Sequence, residues 1–262
     1  MAETRSPLWQ DYTWPELQAL AEAGAAVIVP VGAIEQHGPH LPVSVDSTCV
    51  YEVARHAAQA VTEFPVLVAP PVWWGVSPHH MGFAGTITLS TDTFITVVSD
   101  ICRSIAQHGF RRILILNGHG GNGSVVNVIA QRLSEQKPPL WVAAATYFTM
   151  IAQDLQTIGE SDFGGMSHAC EMETSLMLAL RPDLVHLDRV EDDMRGPWTS
   201  FFGWDMRVGG TVYYPYDMQR DTKQGVIGAP SLATADKGER ILTAATTRVA
   251  DFLREFHAMP VA

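Results

Sequence analysis

The chain has 262 residues, of which 47% are hydrophobic and 17% are charged, and its formal net charge is −11. This composition excludes a disordered chain, and the negative charge argues against a nucleic-acid partner, which needs a basic face. We therefore expect one globular domain over residues 1–262. The N-terminal residues lack an apolar stretch and no apolar run reaches 18 residues, which predicts a cytoplasmic protein without a membrane segment.

Apolar runs alternate with helical patterns along the chain, which is typical of an α/β fold with a mostly parallel sheet covered on both faces. Strands are predicted at 25–31, 66–69, 113–116 and 141–147. Helices are predicted at 14–23, 47–60, 91–108, 124–136, 169–180 and 234–256, and the pattern of 190–230 is irregular. In such a sheet, reacting groups gather where strands end, and the polar clusters of this sequence fall at those places.

The first polar cluster follows the first predicted strand and contains Glu35, His37 and Asp46. Glu35 and His37 are two residues apart, so their side chains point the same way in an extended chain. A carboxylate and an imidazole that converge at a strand end form half of a site for Zn²⁺, Mn²⁺ or Fe²⁺. Asp46 stands just ahead of the next predicted helix, where it is either a third ligand or a helix cap.

The second cluster, residues 117–122, reads Asn-Gly-His-Gly-Gly-Asn at the exit of the third predicted strand. Glycines at a strand exit can bind a phosphate, but this segment lacks the Lys-Ser/Thr pair of a P-loop. A metal ligand at His119 fits better, because Gly120 and Gly121 allow a tight turn and leave room for substrate or metal. A purely structural turn is the alternative.

The third cluster contains His168, Glu171 and Glu173. If all three lie on a helix, His168 and Glu171 share one face, whereas Glu173 lies about 200° around the axis from Glu171. Only one of the two glutamates is then expected to bind metal, and we favour Glu171. Glu173 either orients a ligand imidazole or is a solvated helix charge.

A fourth polar stretch, residues 75–86, contains Ser77, His79 and His80. Adjacent histidines point to opposite sides in an extended chain, so at most one of them is expected to face the site. We expect His80 to contact the substrate.

Three of these segments occur in the same order in the creatininase (creatinine amidohydrolase) family, which the chain resembles. They are residues 35–42 with Asp46, residues 117–122, and residues 168–175, and the segments 225–228 and 233–239 are similar as well. The resemblance implies a three-layer α/β/α fold, two divalent metal ions per chain, hydrolysis of a C–N bond and a homohexamer (trimer of dimers).

The resemblance also implies individual roles for site residues. It makes Glu35, His37, Asp46 and His119 metal ligands, with Asp46 bridging both ions. His168 matches a histidine placed for proton transfer, and Ser77 falls near a serine that contacts substrate.

The chain departs from true creatininases in two ways. Those carry His-Tyr-Glu where this chain has His119-Gly120-Gly121, and that Glu is a metal ligand, so we expect Glu171 to supply the missing carboxylate. They also carry a Trp shortly before the catalytic His, which residues 162–167 lack, and Trp198 and Trp204 do not match that position. These two differences argue against creatinine as the substrate.

The sequence thus predicts an amidohydrolase that cleaves a small amide, cyclic amide or formamide with a metal-bridging hydroxide, using His168 and Glu173 as catalytic residues. Gly120 and Gly121 are expected to contact the substrate. The alternatives are creatinine amidohydrolase proper, a two-metal phosphoesterase, and a binding module without activity. The phosphoesterase is disfavoured because no Arg or Lys is expected near the clusters.

Overall fold

A computed structural model describes residues 6–135, 140–196, 199, 201–203 and 205–260, and Trp198 and Trp204 lie outside this set. The central sheet has four parallel strands in the order β2-β1-β3-β4. Their bounds are β1 (Ala26–Val31), β2 (Val66–Val68), β3 (Arg112–Asn117) and β4 (Trp141–Thr146). All four match predicted strands, and the expected α/β class is confirmed.

The helices surround this sheet on two sides. They are α1 (Trp14–Glu22), α2 (Val45–Ala60), α3 (Thr91–Gln107), α4 (Gly123–Ser134), α5 (Tyr147–Met150), α6 (Ala152–Ile158), α7 (Glu171–Leu180), α8 (Met218–Asp221) and α9 (Ala235–Ala258). The short helices α5, α6 and α8 were not predicted, because four to seven residues are too few to show a helical period. Among the described residues, we find no helix that is both long and apolar enough to cross a membrane.

Two apolar cores, one on each face of the sheet, explain why β1 is a continuous apolar run. Ala26 and Ile28 pack with α2, α7 and α9, whereas Val27, Val29 and Val31 pack with α1, α3 and α4. All six residues of β1 are buried, as expected for a parallel strand covered on both faces. The three-layer α/β/α arrangement implied by the family resemblance is therefore confirmed.

Helix α7 begins two residues later than predicted. Ala169 has a left-handed backbone (φ 49°) and Cys170 is extended, so the helical geometry starts only at Glu171. His168 instead ends β5 (Met166–His168), which pairs antiparallel with β6 (Ile227–Gly228). The expectation that His168 and Glu171 share one helix face is therefore wrong.

The loops that leave β1, β2 and β3 are tied together by the buried Asn122. Its Oδ1 accepts a hydrogen bond from the amide of Val76 (2.9 Å), and its Nδ2 donates to the carbonyl of Gly32 (3.0 Å). We expect Asn122→Ala to lower the free energy of unfolding by about 2–4 kcal/mol, because it leaves a buried amide and a buried carbonyl unpaired.

Urea denaturation monitored by circular dichroism measures this change. Asn127→Ala, at an exposed position of α4, is the matched control and should change the free energy of unfolding by less than about 0.5 kcal/mol. Equal midpoints for the two variants would mean that the Asn122 amide does not hold the loops.

Candidate metal centre

The polar clusters meet at the point where the strand order reverses. Strand β2 pairs with one edge of β1, and β3 pairs with its other edge. The pairing of β1 with β3 ends at Val31 and Asn117. Such a reversal opens a crevice at the carboxyl ends of the two strands. Glu35 and His37 enter it from the loop after β1, and His119 enters it from the loop after β3.

Asp46 lies at the centre of this cluster, in the first turn of α2. Its Oδ1 lies 3.3 Å from Nε2 of His37, and its Oδ2 lies 3.1 Å from Nδ1 of His119. The N-cap residue of α2 is Ser44, so the alternative of Asp46 as a helix cap is wrong. Glu35 Oε1 lies 3.3 Å from the same Nδ1 of His119.

Glu173 joins the cluster from the first turn of α7. Its Oε1 lies 3.6 Å from Nε2 of His37, and the potential ligand atoms of His37, Asp46 and Glu173 all lie within 4.8 Å of one another. Its Oε2 accepts a hydrogen bond from the amide of Cys170 (3.2 Å). Glu173 is 6% exposed, so it is not the solvated helix charge that was one alternative.

The structure does not bring Glu171 to this cluster. The carboxylate of Glu171 is fully buried and accepts a hydrogen bond from the ammonium group of Lys237 (2.6 Å). It also accepts hydrogen bonds from the backbone amides of Glu160 and Ser161 (3.0 Å each). Because Glu171 and Glu173 are two residues apart on a helix, they point to nearly opposite sides. The side that faces the cluster belongs to Glu173.

Backbone carbonyls orient the two imidazoles that flank Asp46. Nδ1 of His37 donates to the carbonyl of Glu35 (3.1 Å), and Nε2 of His119 donates to the carbonyl of Val76 (3.0 Å). The opposite nitrogen of each ring therefore faces the carboxylates. A carbonyl that fixes the second nitrogen is the usual arrangement for a metal-binding histidine.

The buried carboxylates and imidazoles of this cluster shift one another's pKa values. Burial favours a neutral Asp46, but His37 and His119 hold the pKa of its carboxyl well below its usual range. Burial lowers and Glu35 and Asp46 raise the pKa of His119, with a net rise to about 10. A divalent cation would replace these imidazole protons, which makes its affinity increase with pH.

The donor set fits a divalent transition metal. Among the residues described, Glu35 Oε2 and His37 Nε2 are buried without a hydrogen-bond partner. Such atoms are costly to bury unless something binds them. Imidazole nitrogens mixed with carboxylate oxygens suit Zn²⁺, Mn²⁺ or Fe²⁺.

His168 lies beside the cluster with a fixed tautomer. Its Nε2 donates to the carbonyl of Gln36 (2.8 Å), and its Nδ1 faces Glu35 Oε1 at 3.8 Å. Burial and the nearby His37 hold the pKa of His168 well below its usual value. The ring is therefore neutral, and its Nδ1 has a lone pair directed towards the cluster.

Ser77 and His80 lie behind the cluster, and both are fully buried. Ser77 Oγ lies 3.2 Å from Nε2 of His119, and Nε2 of His80 lies 3.3 Å from Glu35 Oε1. The side-chain amide of Gln36 holds the other nitrogen of His80 at 3.0 Å. Neither Ser77 nor His80 is among the residues that line the adjoining cavity, so the expected substrate contacts stay a prediction.

A cavity of about 670 Å³ connects the cluster to the surface. Gly120, Gly121 and His168 line it, together with Gly203, residues 205–210, Tyr213 and residues 215–217. This volume is in the range of sites for small molecules.

Comparisons with known proteins agree with this geometry. The family model described as creatininase, creatinine amidohydrolase, matches residues 10–253. The chain belongs to the creatininase family. It is 33% identical to the creatinine amidohydrolase of Pseudomonas putida over 260 residues, which cover 94% of this chain and 95% of that protein.

Other relatives of this creatininase-family hydrolase have different names. A mycofactocin precursor peptide peptidase of Mycobacterium tuberculosis (strain CDC 1551 / Oshkosh) is 30% identical and covers 86% of this chain, which spans 83% of that protein. A 3-dehydro-scyllo-inosose hydrolase of Thermotoga maritima is 27% identical and covers 95% of this chain, which spans 85% of that protein.

Solved creatininases share the fold and are described with metals. The structure named "Creatininase Mn" superposes with a TM-score of 0.82 at 30% identity, covering 97% of this chain and 100% of the other. A mutant creatininase of Zn-Zn type has a TM-score of 0.81 with the same identity and coverage.

Sequence reasoning missed His79 in this creatininase-family site. Residues Pro78–His80 form a short 3-10 helix, in which neighbouring side chains are about 120° apart instead of opposite. Both adjacent histidines therefore approach the cluster, and the expectation that at most one does so is wrong. The signal available in the sequence was Pro78, which favours the first position of a helix.

Two cationic side chains were missed as well. Arg207 lines the cavity, and Lys237 binds Glu171, although no Arg or Lys was expected near the clusters. The guanidinium group of Arg207 donates to Asp205 and to the carbonyls of Ser161 and Asp162 at 2.6–2.8 Å. Arg207 lies in the irregular 190–230 segment, where no periodic pattern predicts which side chains point inward.

Proposed function

We propose that this chain is a two-metal amidohydrolase that acts on a small amide other than creatinine. The observation that carries this proposal is the position of Asp46, whose two oxygens face two different ligand groups. Oδ2 faces His119, which Glu35 also approaches, and Oδ1 faces His37, which Glu173 also approaches. This arrangement supports a bridging role for Asp46 between two ions, as carboxylates have in other two-metal hydrolytic sites.

Five side chains would hold the ions. Glu35, Asp46 and His119 are the proposed ligands of one ion, and His37, Asp46 and Glu173 those of the other. Glu173 here takes the place first expected for Glu171. Two divalent cations of Zn, Mn or Fe, when bound, would polarise the amide carbonyl and lower the pKa of water towards neutrality.

His168 is the proposed group for proton transfer. Its Nε2–H is held by the carbonyl of Gln36, so Nδ1 is the atom that accepts and returns a proton on the cluster side. A neutral imidazole is suited to take a proton as the nucleophile attacks and to give it to the leaving nitrogen. Burial keeps this imidazole neutral before the reaction.

The wall of the cavity supports a substrate different from creatinine. Gly120 and Gly121 contribute no side chains where creatininases carry Tyr and Glu. A phosphoesterase remains less supported, because the guanidinium group of Arg207 is already bound by Asp205 and two carbonyls. The cavity that reaches the cluster also favours an enzyme over a binding module, since catalytic metals need an accessible position.

The two glutamates of α7 give a matched test of the ligand assignment. We expect Glu173→Gln to retain fewer than two metal ions per chain, because an amide is a weaker ligand than a carboxylate. Glu171→Gln should retain both ions, since Glu171 binds Lys237 instead. Metal content by plasma mass spectrometry of both variants measures the difference, and the reverse result would restore Glu171 as the ligand.

Metal removal tests the reaction class. Chelation should abolish hydrolysis in a screen of cyclic amides, formamides and short peptides, and Zn²⁺, Mn²⁺ or Fe²⁺ should restore it. If hydrolysis of all these substrates persisted after complete metal removal, the proposed chemistry would be wrong.

The homohexamer implied by the family resemblance is part of the same proposal. Sedimentation equilibrium should give a mass six times that of the 28.6 kDa chain. A monomer at micromolar concentration would contradict it.

A further inference from the structure

His79 stands beside the metal centre with an unexplained nitrogen. Its Nε2 is buried and has no hydrogen-bond partner within the described part of the chain. The potential ligand atoms of Glu35, His79 and His119 all lie within 4.8 Å of one another. A buried nitrogen without a partner is costly, unless it binds a group that completes the site.

The room for this imidazole comes from Gly121. A Cβ atom at position 121 would lie 2.9 Å from Cε1 of His79 and 2.4 Å from Nε2 of His119. Any side chain at this position would therefore collide with these rings and with the carbonyl of Val76, 2.4 Å from the same Cβ position. In this chain the imidazole of His79 takes up the space beside Gly121.

Aromatic contacts hold His79 in this place. The ring of Tyr216 packs against it with centroids 4.6 Å apart, and the ring of His119 lies parallel to it at 5.7 Å. These contacts hold the imidazole of His79 next to the carboxylate of Glu35 and the ring of His119.

We propose that His79 Nε2 is an additional ligand of the ion at Glu35, Asp46 and His119. This assignment rests on the proposed two-metal function and deepens it. That ion then has four protein donors, the number typical of a closed zinc site. The ion at His37, Asp46 and Glu173 keeps three, the number typical of a catalytic zinc site. The two ions are therefore unequal, and the substrate reaches the second ion without displacing a protein ligand.

Co²⁺ and Zn²⁺ alone are the probes that test this assignment. We expect His79→Ala and His79→Gln to weaken one of two Zn²⁺ sites at least about tenfold in competition with a chromophoric chelator. Both should also change the visible absorption of the Co²⁺-loaded protein, because one ion loses a nitrogen donor. Added imidazole should restore the original Co²⁺ spectrum in His79→Ala but not in His79→Gln, because only the alanine variant leaves space for it.

His108→Ala is the control, because His108 is exposed at the end of α3 and lies outside the cluster. Two bound ions with unchanged affinities and an unchanged Co²⁺ spectrum in both His79 variants would overturn the His79 assignment and leave the proposed function standing. If the unaltered protein bound no Co²⁺, the proposed function itself would fail, and the His79 assignment with it.

Discussion

Replacing Asp46 by Asn is expected to leave fewer than two metal ions per chain and to lower kcat/KM for the amide substrate at least about a hundredfold. Removing a partner outside the ligand shell already reduces metal affinity or activity by about 10–100-fold, and loss of a bridging charge should exceed that. In the structure the two oxygens of Asp46 lie 3.3 Å from His37 and 3.1 Å from His119. Both proposed ion positions therefore depend on this carboxylate.

Asp92→Asn is the matched control for this experiment. Asp92 occupies the first turn of α3 as Asp46 occupies the first turn of α2, but Asp92 is exposed. Its replacement removes only a favourable interaction with the helix dipole and should leave metal content and kcat/KM unchanged. If Asp46→Asn behaved like Asp92→Asn, the bridging role would be wrong.

The second large effect concerns stability. Lys237→Met is expected to lower the free energy of unfolding by about 3–5 kcal/mol, because it leaves the carboxylate of Glu171 buried without its cation. Both side chains are nearly inaccessible, and the ammonium group also donates to the carbonyl of Leu232 at 2.7 Å. The double variant Glu171→Gln with Lys237→Met should recover much of the loss, since no charge is then left unpaired. Metal content should stay at two ions throughout.

The loss should depend on pH in a defined direction. Burial raises but Lys237 and backbone amides lower the pKa of Glu171, with a net fall below its ordinary 4.5. Its contribution to stability is therefore present above pH 4.5 and is lost as pH falls through its folded pKa. Burial lowers but Glu171 and Glu160 raise the pKa of Lys237 above 10.5, so this contribution is lost only at higher pH.

Urea denaturation at pH 7 and below pH 4 measures both effects. The difference between the unaltered protein and Lys237→Met should be largest at pH 7 and should narrow in acid, where Glu171 becomes neutral. Arg240→Met removes an exposed i,i+4 pair with Asp236 on the same helix and should cost less than about 0.5 kcal/mol. A loss no larger than that of Arg240→Met would show that the buried pair does not stabilise the fold.

Much of the fold could be predicted from the sequence, because long apolar runs and helical periods survive in it. The four strands, the six longer helices and the meeting of Glu35, His37 and His119 near strand ends all follow from such patterns. The sequence patterns did not show which of Glu171 and Glu173 faces the cluster, because this depends on the residue at which α7 begins. The left-handed conformation of Ala169 sets that start, and an alanine gives no signal of it.

The remaining omissions have a similar cause. His79 approaches the cluster because Pro78–His80 turns as a short 3-10 helix, whereas an extended chain was assumed. Tyr216 and Arg207 belong to an irregular segment that is placed by tertiary contacts. Lys237 lies on α9, 66 residues beyond its partner Glu171, and no local pattern connects them.

One wall of the cavity and the proposed metal ligands come from different parts of the chain. The proposed ligands lie at the sheet edge and on α7, whereas ten of the residues 205–217 line the cavity. Selection can therefore alter this wall while the reacting centre is retained, which is how one fold supports many substrates. The relatives carry names for three different substrates. Residues 205–217 are accordingly the segment in which to randomise this protein when a new amide specificity is sought.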